Sequence, residues 1–285
     1  MKNITVYILV YNEEARIENL LKNCLWSDDI IIYDKSSTDR TREIASKYHC
    51  RIIKIPYSDT GPGMSINVVN DAKNDWILGI TCSDIIHPKL IDKMLELINR
   101  EGFDYDVIAF PYVVGVLGII DKRSPWSAIP LKKYLFKKTA AIFSDIVHKE
   151  ISFKPYAKIY KMEKNDKEAV FHLTHENLDI FFERVTRYAK GEAMLYSSMN
   201  KGLIKIFLEI WAAIFWMIFY KRVLFMGWKG FVLFYAFLIY FFTKFLFTWE
   251  RFNGKGKEVY DKLRNSMLKE WSKDANSRSN DAKQG

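Results

Sequence analysis

Two clusters in this chain carry side chains able to do chemistry together: Tyr11-Asn12-Glu13-Glu14, and Asp34-Lys35-Ser36-Ser37-Thr38-Asp39-Arg40-Thr41. Each follows a short apolar run, Ile4 to Val10 and Asp29 to Tyr33, and each precedes a helical pattern. Carboxylates and hydroxyls then sit at the C-terminal ends of two neighbouring strands, where open α/β sheets bind their ligands. Such groups suit the hydroxyls and ring N–H of a nucleoside. A bare phosphate would more often meet a Gly-rich loop. No G-x-G-x-x-G or Walker pattern follows either strand, which disfavours a dinucleotide dehydrogenase. The competing reading is a pair of helix N-caps, with Asn12 and Thr38 or Asp39 as the capping residues. Two clusters at successive strand ends favour a site.

The elements that must hold these clusters alternate through the first 112 residues. Ile4–Val10 is apolar and β-branched, and Ile17, Leu20, Leu21 and Cys24 then repeat at helical spacing. Strands are expected at Ile30–Tyr33 and Arg51–Ile55, on either side of a helix from about Arg40 to Tyr48. Trp76–Ile80 is a fourth strand, Pro88 opens a helix to about Asn99, and Val107–Tyr112 is a fifth strand. Short strands separated by helices predict an α/β fold, a mainly parallel sheet with helices on both faces. Further on, Gly115 and Gly118 break the apolar run, Ser124-Pro125-Trp126 marks a loop, and Lys132–Lys138 is basic and mixed. A helix returns from Leu178 to Met199. Phe181, Phe182, Val185, Tyr188 and Met194 are expected inward, with Glu183, Arg184, Arg187 and Lys190 on the polar face.

Cys24, Cys50 and Cys82 are an odd number at no metal-like spacing, which fits a reducing compartment. The net charge of +9 lies almost wholly in residues 201–285, with 15 Lys/Arg against 7 Asp/Glu, while residues 1–200 hold 28 against 27. The same third holds an aromatic-rich block from Leu203 to Trp249. Its rings lie in apolar runs, which disfavours nucleic acid and favours an anionic membrane surface. The longest charge-free run, Gly230 to Thr243, has 14 residues, short of the roughly 20 that a spanning helix needs. Lys or Arg flanks every run, so the charge rule gives no orientation. Two helices lying in the interface, or a re-entrant pair hinged near Met226-Gly227-Trp228, are expected, with a buried soluble pair as the alternative. Val259, Leu263, Met267 and Trp271 mark a last amphipathic helix before a polar tail. No leader pattern precedes the first strand, so the N-terminal part is expected to stay in the cytoplasm.

Val10-Tyr11-Asn12-Glu13-Glu14, Asp34-x-x-Ser37-Thr38-Asp39-x-Thr41, and Asn67 ahead of Asp75-Trp76-Ile77-Leu78 together resemble family 2 glycosyltransferases of the GT-A fold. His172-Leu173-Thr174, Phe181, Arg184, Arg187-Tyr188, Glu192-Ala193 and Gly227-Trp228-Lys229-Gly230-Phe231 carry the resemblance to about residue 250. They point to a bacterial subgroup that builds lipopolysaccharide core and related surface glycans. The resemblance implies a Rossmann-like GT-A domain with its nucleotide-sugar half in residues 1–112 and its acceptor half in 113–200. A membrane-associated helical segment follows over 201–252, then an amphipathic helix and tail over 253–285. It implies an inverting transfer from a nucleotide sugar, with UDP the expected carrier. The acceptor is a lipid-linked or lipopolysaccharide-core saccharide at the cytoplasmic face of the inner membrane, met by a peripheral or monotopic enzyme. Tyr11, Asn12, Glu13, Asp34, Thr38, Asp39, Asn67, Ser83 and Asp84 would line the donor.

The family's D-x-D, which holds a divalent metal (Mg or Mn) on the donor diphosphate, aligns here with Thr81-Cys82-Ser83-Asp84. Only Asp84 remains as a metal ligand, and one carboxylate beside two hydroxyls is a weak site for a hard cation. Three outcomes stay open: a metal on Asp84, His87 and phosphates; a diphosphate held by Lys or Arg; or lost transfer, leaving a membrane-bound nucleotide-sugar binder. His87 before Pro88 also reads as a helix start. An inverting transfer needs a carboxylate to take the acceptor proton. The subgroup's Val-His-Glu is here Val147-His148-Lys149-Glu150, so Glu150 is the expected base and Asp145 the reserve. On a strand, His148 would share a face with Glu150. His172 is expected at the diphosphate or in a core hydrogen bond, and Arg184 and Arg187 at acceptor phosphates or in solvent. A transferase acting on polyprenyl phosphate is the near rival, and it needs a true spanning anchor.

Overall fold

The computed structural model of the chain describes residues 2–57, 67–127, 131–142, 151–254 and 256–281. It divides into two compact units, Met1–Phe181 with Lys221–Leu233, and Phe182–Tyr220 with Phe234–Gly285.

The first unit is mixed α/β. Strands β1 (Ile4–Val10), β2 (Asp29–Asp34), β3 (Arg51–Lys54) and β4 (Trp76–Ile80) lie side by side in the order β3-β2-β1-β4, all parallel. Between them run α1 (Ile17–Cys24), α2 (Thr41–Ala45) and α3 (Val68–Asp71). Ile17, Leu20, Leu21 and Cys24 are buried together on α1, as their spacing predicts. Every residue of β2 is buried, so both faces of the sheet are covered there. Beyond β4 the direction reverses. β8 (Leu131–Lys137) pairs antiparallel with β4 on one side and with β6 (Val107–Val116) on the other. β12 (Val170–Thr174) runs parallel to β6, and β5 (Asp84–Ile86) closes the edge antiparallel to β12. Ile31, Tyr33, Ile77, Val107 and Phe136 form a core across β2, β4, β6 and β8.

Several boundaries differ from expectation. α2 ends at Ala45 rather than near Tyr48. β6 runs on through Gly115 to Val116, with Gly115 paired in the ladders opposite Leu173 and Ile120. The basic stretch Lys132–Lys138 is largely β8, a central strand. Two of its lysines are accommodated by stacking, Lys132 over Tyr112 and Tyr134, and Lys137 over Trp76 with a pairing to Asp106, while Lys133 is exposed.

Gly79 on β4 lies beside Tyr7 across the β1–β4 ladder. A Cβ at Gly79 would stand 2.7 Å from the Tyr7 hydroxyl and 2.8 Å from its ring. Gly79→Ala is expected to cost about 1–3 kcal/mol of stability through overpacking, read as a lower thermal midpoint. An unchanged midpoint would show that the ring moves aside at no cost.

Helix α5 (Leu178–Ala193) buries Phe181, Val185, Ala189 and Ala193, a stripe at four-residue spacing. Phe182, Tyr188 and Met194, expected inward, are exposed. Along the rest of the stripe Val185 and two alanines, not Phe182 or Tyr188, are buried. The second unit continues with α6 (Met199–Phe215), followed by a π-helical turn to Tyr220, then α7 (Trp228–Asn253) from Phe234 onward, and α8 (Gly256–Asp281). Met199–Tyr220 and Trp228–Asn253 are long and apolar enough to cross a membrane by length and composition. The 14-residue limit read at Lys244 does not end the helix, because Lys244 is buried against Glu209 and Glu192. α8 forms where the amphipathic pattern predicts it, with Val259, Leu263, Met267 and Trp271 exposed.

Candidate active site

The loops that follow β1 and β2 are bonded to each other. Asn12, held at φ 52°, donates its N–H to Ser37 Oγ at 3.0 Å and accepts the Thr38 N–H on Oδ1 at 2.9 Å. Glu13 N–H reaches Thr41 Oγ1 at 2.7 Å, Glu14 N–H reaches Asp39 Oδ2 at 3.0 Å, and Arg40 N–H reaches Glu14 Oε2 at 3.0 Å. Asp34 is fully buried, accepting the Ser37 N–H at 3.0 Å and pairing with Arg42 at 3.4 Å. Burial pushes the Asp39 carboxyl upward, but hydrogen bonds from Thr41 and Glu14 prevail and hold it below the usual range. These two carboxylates thus shape the loops. Asn12 and Thr38 stay exposed between them, Asn67 is exposed ahead of α3, and half-buried Tyr11 packs on Tyr57 with ring centroids 4.4 Å apart.

The end of β4 lies beside the end of β1. There Asp84, only 2% exposed, is the hub of a hydrogen-bond network. Its Oδ2 accepts the Thr81 N–H at 2.7 Å and the Thr81 hydroxyl at 3.1 Å. Its Oδ1 accepts the Tyr112 hydroxyl at 3.1 Å and the His172 Nδ1 at 2.8 Å. A carboxylate opposite Nδ1 calls for a proton on that nitrogen, which leaves Nε2 as the ring nitrogen that Asp84 does not engage. His172 stacks on Tyr112 at 5.6 Å. Burial, and then the Asp84 charge, push the Tyr112 phenol above its usual range, so it remains a donor.

Arg16 reaches into the same corner. Its Nε donates to Glu13 Oε2 at 2.9 Å, its NH2 stands 2.6 Å from the same oxygen, and its NH1 donates to Ser83 Oγ at 2.9 Å. Glu176 is 3.6 Å from NH1. Neither Arg16 nor Tyr112 is among the expected site residues. A cation in the first turn of a helix is unfavourable unless paired, and that is the signal by which Arg16, one residue before α1, stands out.

The family's metal is tested by this donor set. A carboxylate offers about four lone-pair sites, and those of Asp84 are taken by Thr81, Tyr112 and His172. Burial pushes the Cys82 thiol well above its usual range, so it supplies no thiolate. His87 is the residue at the start of α4 (Pro88–Asn99), where Nδ1 accepts from Lys89 N–H. Among the described residues no group of three His, Cys, Asp or Glu is placed to hold a metal ion. These residues as folded do not fit a divalent cation.

Asp145, His148 and Glu150 lie outside the described residues. Arg184 and Arg187 belong to the second unit. There Arg187 NH1 is 3.5 Å from Glu183, and its guanidinium stands over the Tyr188 ring at 5.3 Å.

The family model described as glycosyl transferase family 2 matches residues 5–159, more than half of the chain. The chain belongs to that family. It is a sugar transferase, as the relatives' names also state. An uncharacterized glycosyltransferase of Rickettsia bellii is 26% identical over 262 residues, covering 86% of this transferase and 84% of the relative. Poly(ribitol-phosphate) beta-N-acetylglucosaminyltransferase TarS of Staphylococcus aureus is 26% identical over 126 residues, 40% of this chain and 22% of TarS. A crystal structure of S. aureus TarS 1-349 with UDP-GlcNAc aligns with TM-score 0.45 at 14% identity, covering 70% of this chain and 68% of that one. Glucosyl-3-phosphoglycerate synthase from Mycobacterium tuberculosis, in complex with Mn2+, UDP and glucosyl-3-phosphoglycerate, aligns with TM-score 0.35 at 18% identity over 50% of this chain and 60% of that one.

Proposed function

We propose that this transferase moves a sugar, with inversion, from a UDP-sugar to a lipid-linked or lipopolysaccharide-core saccharide at the cytoplasmic face of a membrane. The observation that carries the donor half is the pair of bonded loops at the carboxyl ends of β1 and β2. They leave Tyr11, Asn12 and Thr38 accessible for base and ribose, beside the β4 end with Ser83, Asp84 and His172. The sequence relation to TarS, a named beta-N-acetylglucosaminyltransferase, supports a nucleotide-sugar donor. Two helices of 22 and 26 apolar-rich residues, in the third of the chain that carries the positive charge, support work at an anionic membrane. Glu150 is the proposed base, with Asp145 and His148 beside it in sequence. Arg184 and Arg187 are proposed to meet acceptor phosphates.

Thermal shift of the full chain with a panel of UDP-, GDP-, CMP- and dTDP-sugars is the direct test, followed by transfer of label from the stabilising donor into bacterial lipid extract on anionic vesicles. A midpoint raised by UDP-sugars and label moving into the lipid phase are expected. A protein stabilised by no nucleotide sugar would lose the donor reading. One that binds donor yet stays off the vesicles and labels only soluble acceptors would lose the membrane reading.

A further inference from the structure

The position of Arg16 raises the question of what neutralises the donor diphosphate. In the strand order β2-β1-β4, a nucleoside seated over the ends of β1 and β2 has its next group one strand spacing away, about 4.8 Å, over the end of β4. Among the described residues, Arg16 is a cation bonded at that end, through Ser83. Glu13 fixes the Nε–NH2 edge of the guanidinium, and Ser83 Oγ fixes NH1. The side chain as a whole keeps 20% of its surface exposed. A guanidinium has donors to spare beyond these bonds, and its planar fork matches phosphate oxygens bidentately. Glu176 at 3.6 Å is half exposed and beyond hydrogen-bond distance, a partner that an arriving anion displaces. Asp84, by contrast, spends its oxygens on protein donors and directs His172.

We propose that Arg16, seated on Ser83, binds the donor diphosphate in the role that a divalent metal fills in the D-x-D pattern, so that this transferase holds its donor without metal. The proposal rests on the nucleotide-sugar reading above, and the experiment separates the two. Uridine and UDP are titrated into the full chain by calorimetry in EDTA, with wild type compared to Arg16→Gln and Arg16→Lys. UDP is expected to bind wild type more tightly than uridine without metal. Arg16→Gln is expected to remove about tenfold to a hundredfold of the UDP affinity, the size of a charged hydrogen bond, and to leave uridine affinity unchanged. Arg16→Lys keeps the charge but not the fork, and is expected to fall between them. Should Arg16→Gln melt early, Ser83→Ala releases the guanidinium from its seat and is expected to show the same selective loss. A gain of UDP over uridine that appears only with added Mg2+ or Mn2+, or that survives both substitutions, overturns the proposal. Wild type that binds neither uridine nor UDP, with or without metal, removes the donor reading and this inference with it.

Discussion

Asp84→Ala is expected to lower the unfolding free energy by about 3 kcal/mol and to reduce transfer by about a hundredfold. The stability loss follows from the four donors aimed at this carboxylate: the Thr81 N–H and hydroxyl, the Tyr112 hydroxyl and the His172 Nδ1–H. Asp84 is 2% and Tyr112 7% exposed, so the Tyr112 hydroxyl loses its acceptor away from bulk water, while Thr81 is exposed and His172 partly so. Stranding a buried donor costs roughly 1–3 kcal/mol, and loosening the other bonds adds to it. The loss of transfer follows from geometry, since His172 is held by Asp84 and by stacking on Tyr112. On the proposed reading His172 stands beside the donor, and displacing a group that positions substrate by about 1 Å can cost on the order of a hundredfold in rate. Asp84→Asn should fare little better, because its amide nitrogen turns one donor against another. Chemical denaturation without ligand is the deciding measurement. A carboxylate waiting for a metal would be nearly silent there, within about 0.5 kcal/mol as exposed positions usually are. A silent Asp84→Ala would therefore reverse the reading of this residue as a structural hub.

The parts of this fold that were legible in the sequence are those with one dominant period. β1, β4, α1 and α4 carry apolar residues at strand or helix spacing and end where that spacing ends. β8 is hidden because a central strand is expected to be apolar, while Leu131–Lys137 keeps Lys132 and Lys137 on aromatic faces and Lys133 in solvent. The inward face of α5 was misplaced for the opposite reason: alanines at Ala189 and Ala193 allow close packing, while the large rings of Phe182 and Tyr188 stay outside. In the site, pairing of the two loops after β1 and β2 was foreshadowed by short polar side chains at adjacent strand ends. That Asp34 is turned inside could not be read, since a buried and an exposed aspartate look alike until the Ser37 N–H is placed against it. The network joining Asp84 to Tyr112 and His172 links residues 28 and 88 positions apart, and no local pattern reports such a contact.

The second large effect is expected in the helical unit. Lys244 on α7 is 4% exposed, with its ammonium 2.5 Å from Glu209 on α6 and 3.3 Å from Glu192 on α5. It also lies over Tyr240 and Phe241, at 5.5 and 5.1 Å from their ring centroids. This triad explains how a lysine sits within an apolar helix of 26 residues, about 39 Å long at 1.5 Å per residue. Glu209→Ala leaves the buried ammonium with its more distant partner. It is expected to cost about 3 kcal/mol, near the low end for breaking a buried pair because Glu209 is itself 31% exposed. Lys244→Met on that background removes the stranded charge while keeping the volume, so the double variant should regain most of the loss. Melting of wild type, Glu209→Ala and Glu209→Ala/Lys244→Met in one mild detergent measures all three. Equal midpoints for wild type and Glu209→Ala would show the ion pair adds nothing. A double variant no better than the single would place the contribution in the packing of Glu209 rather than in its charge.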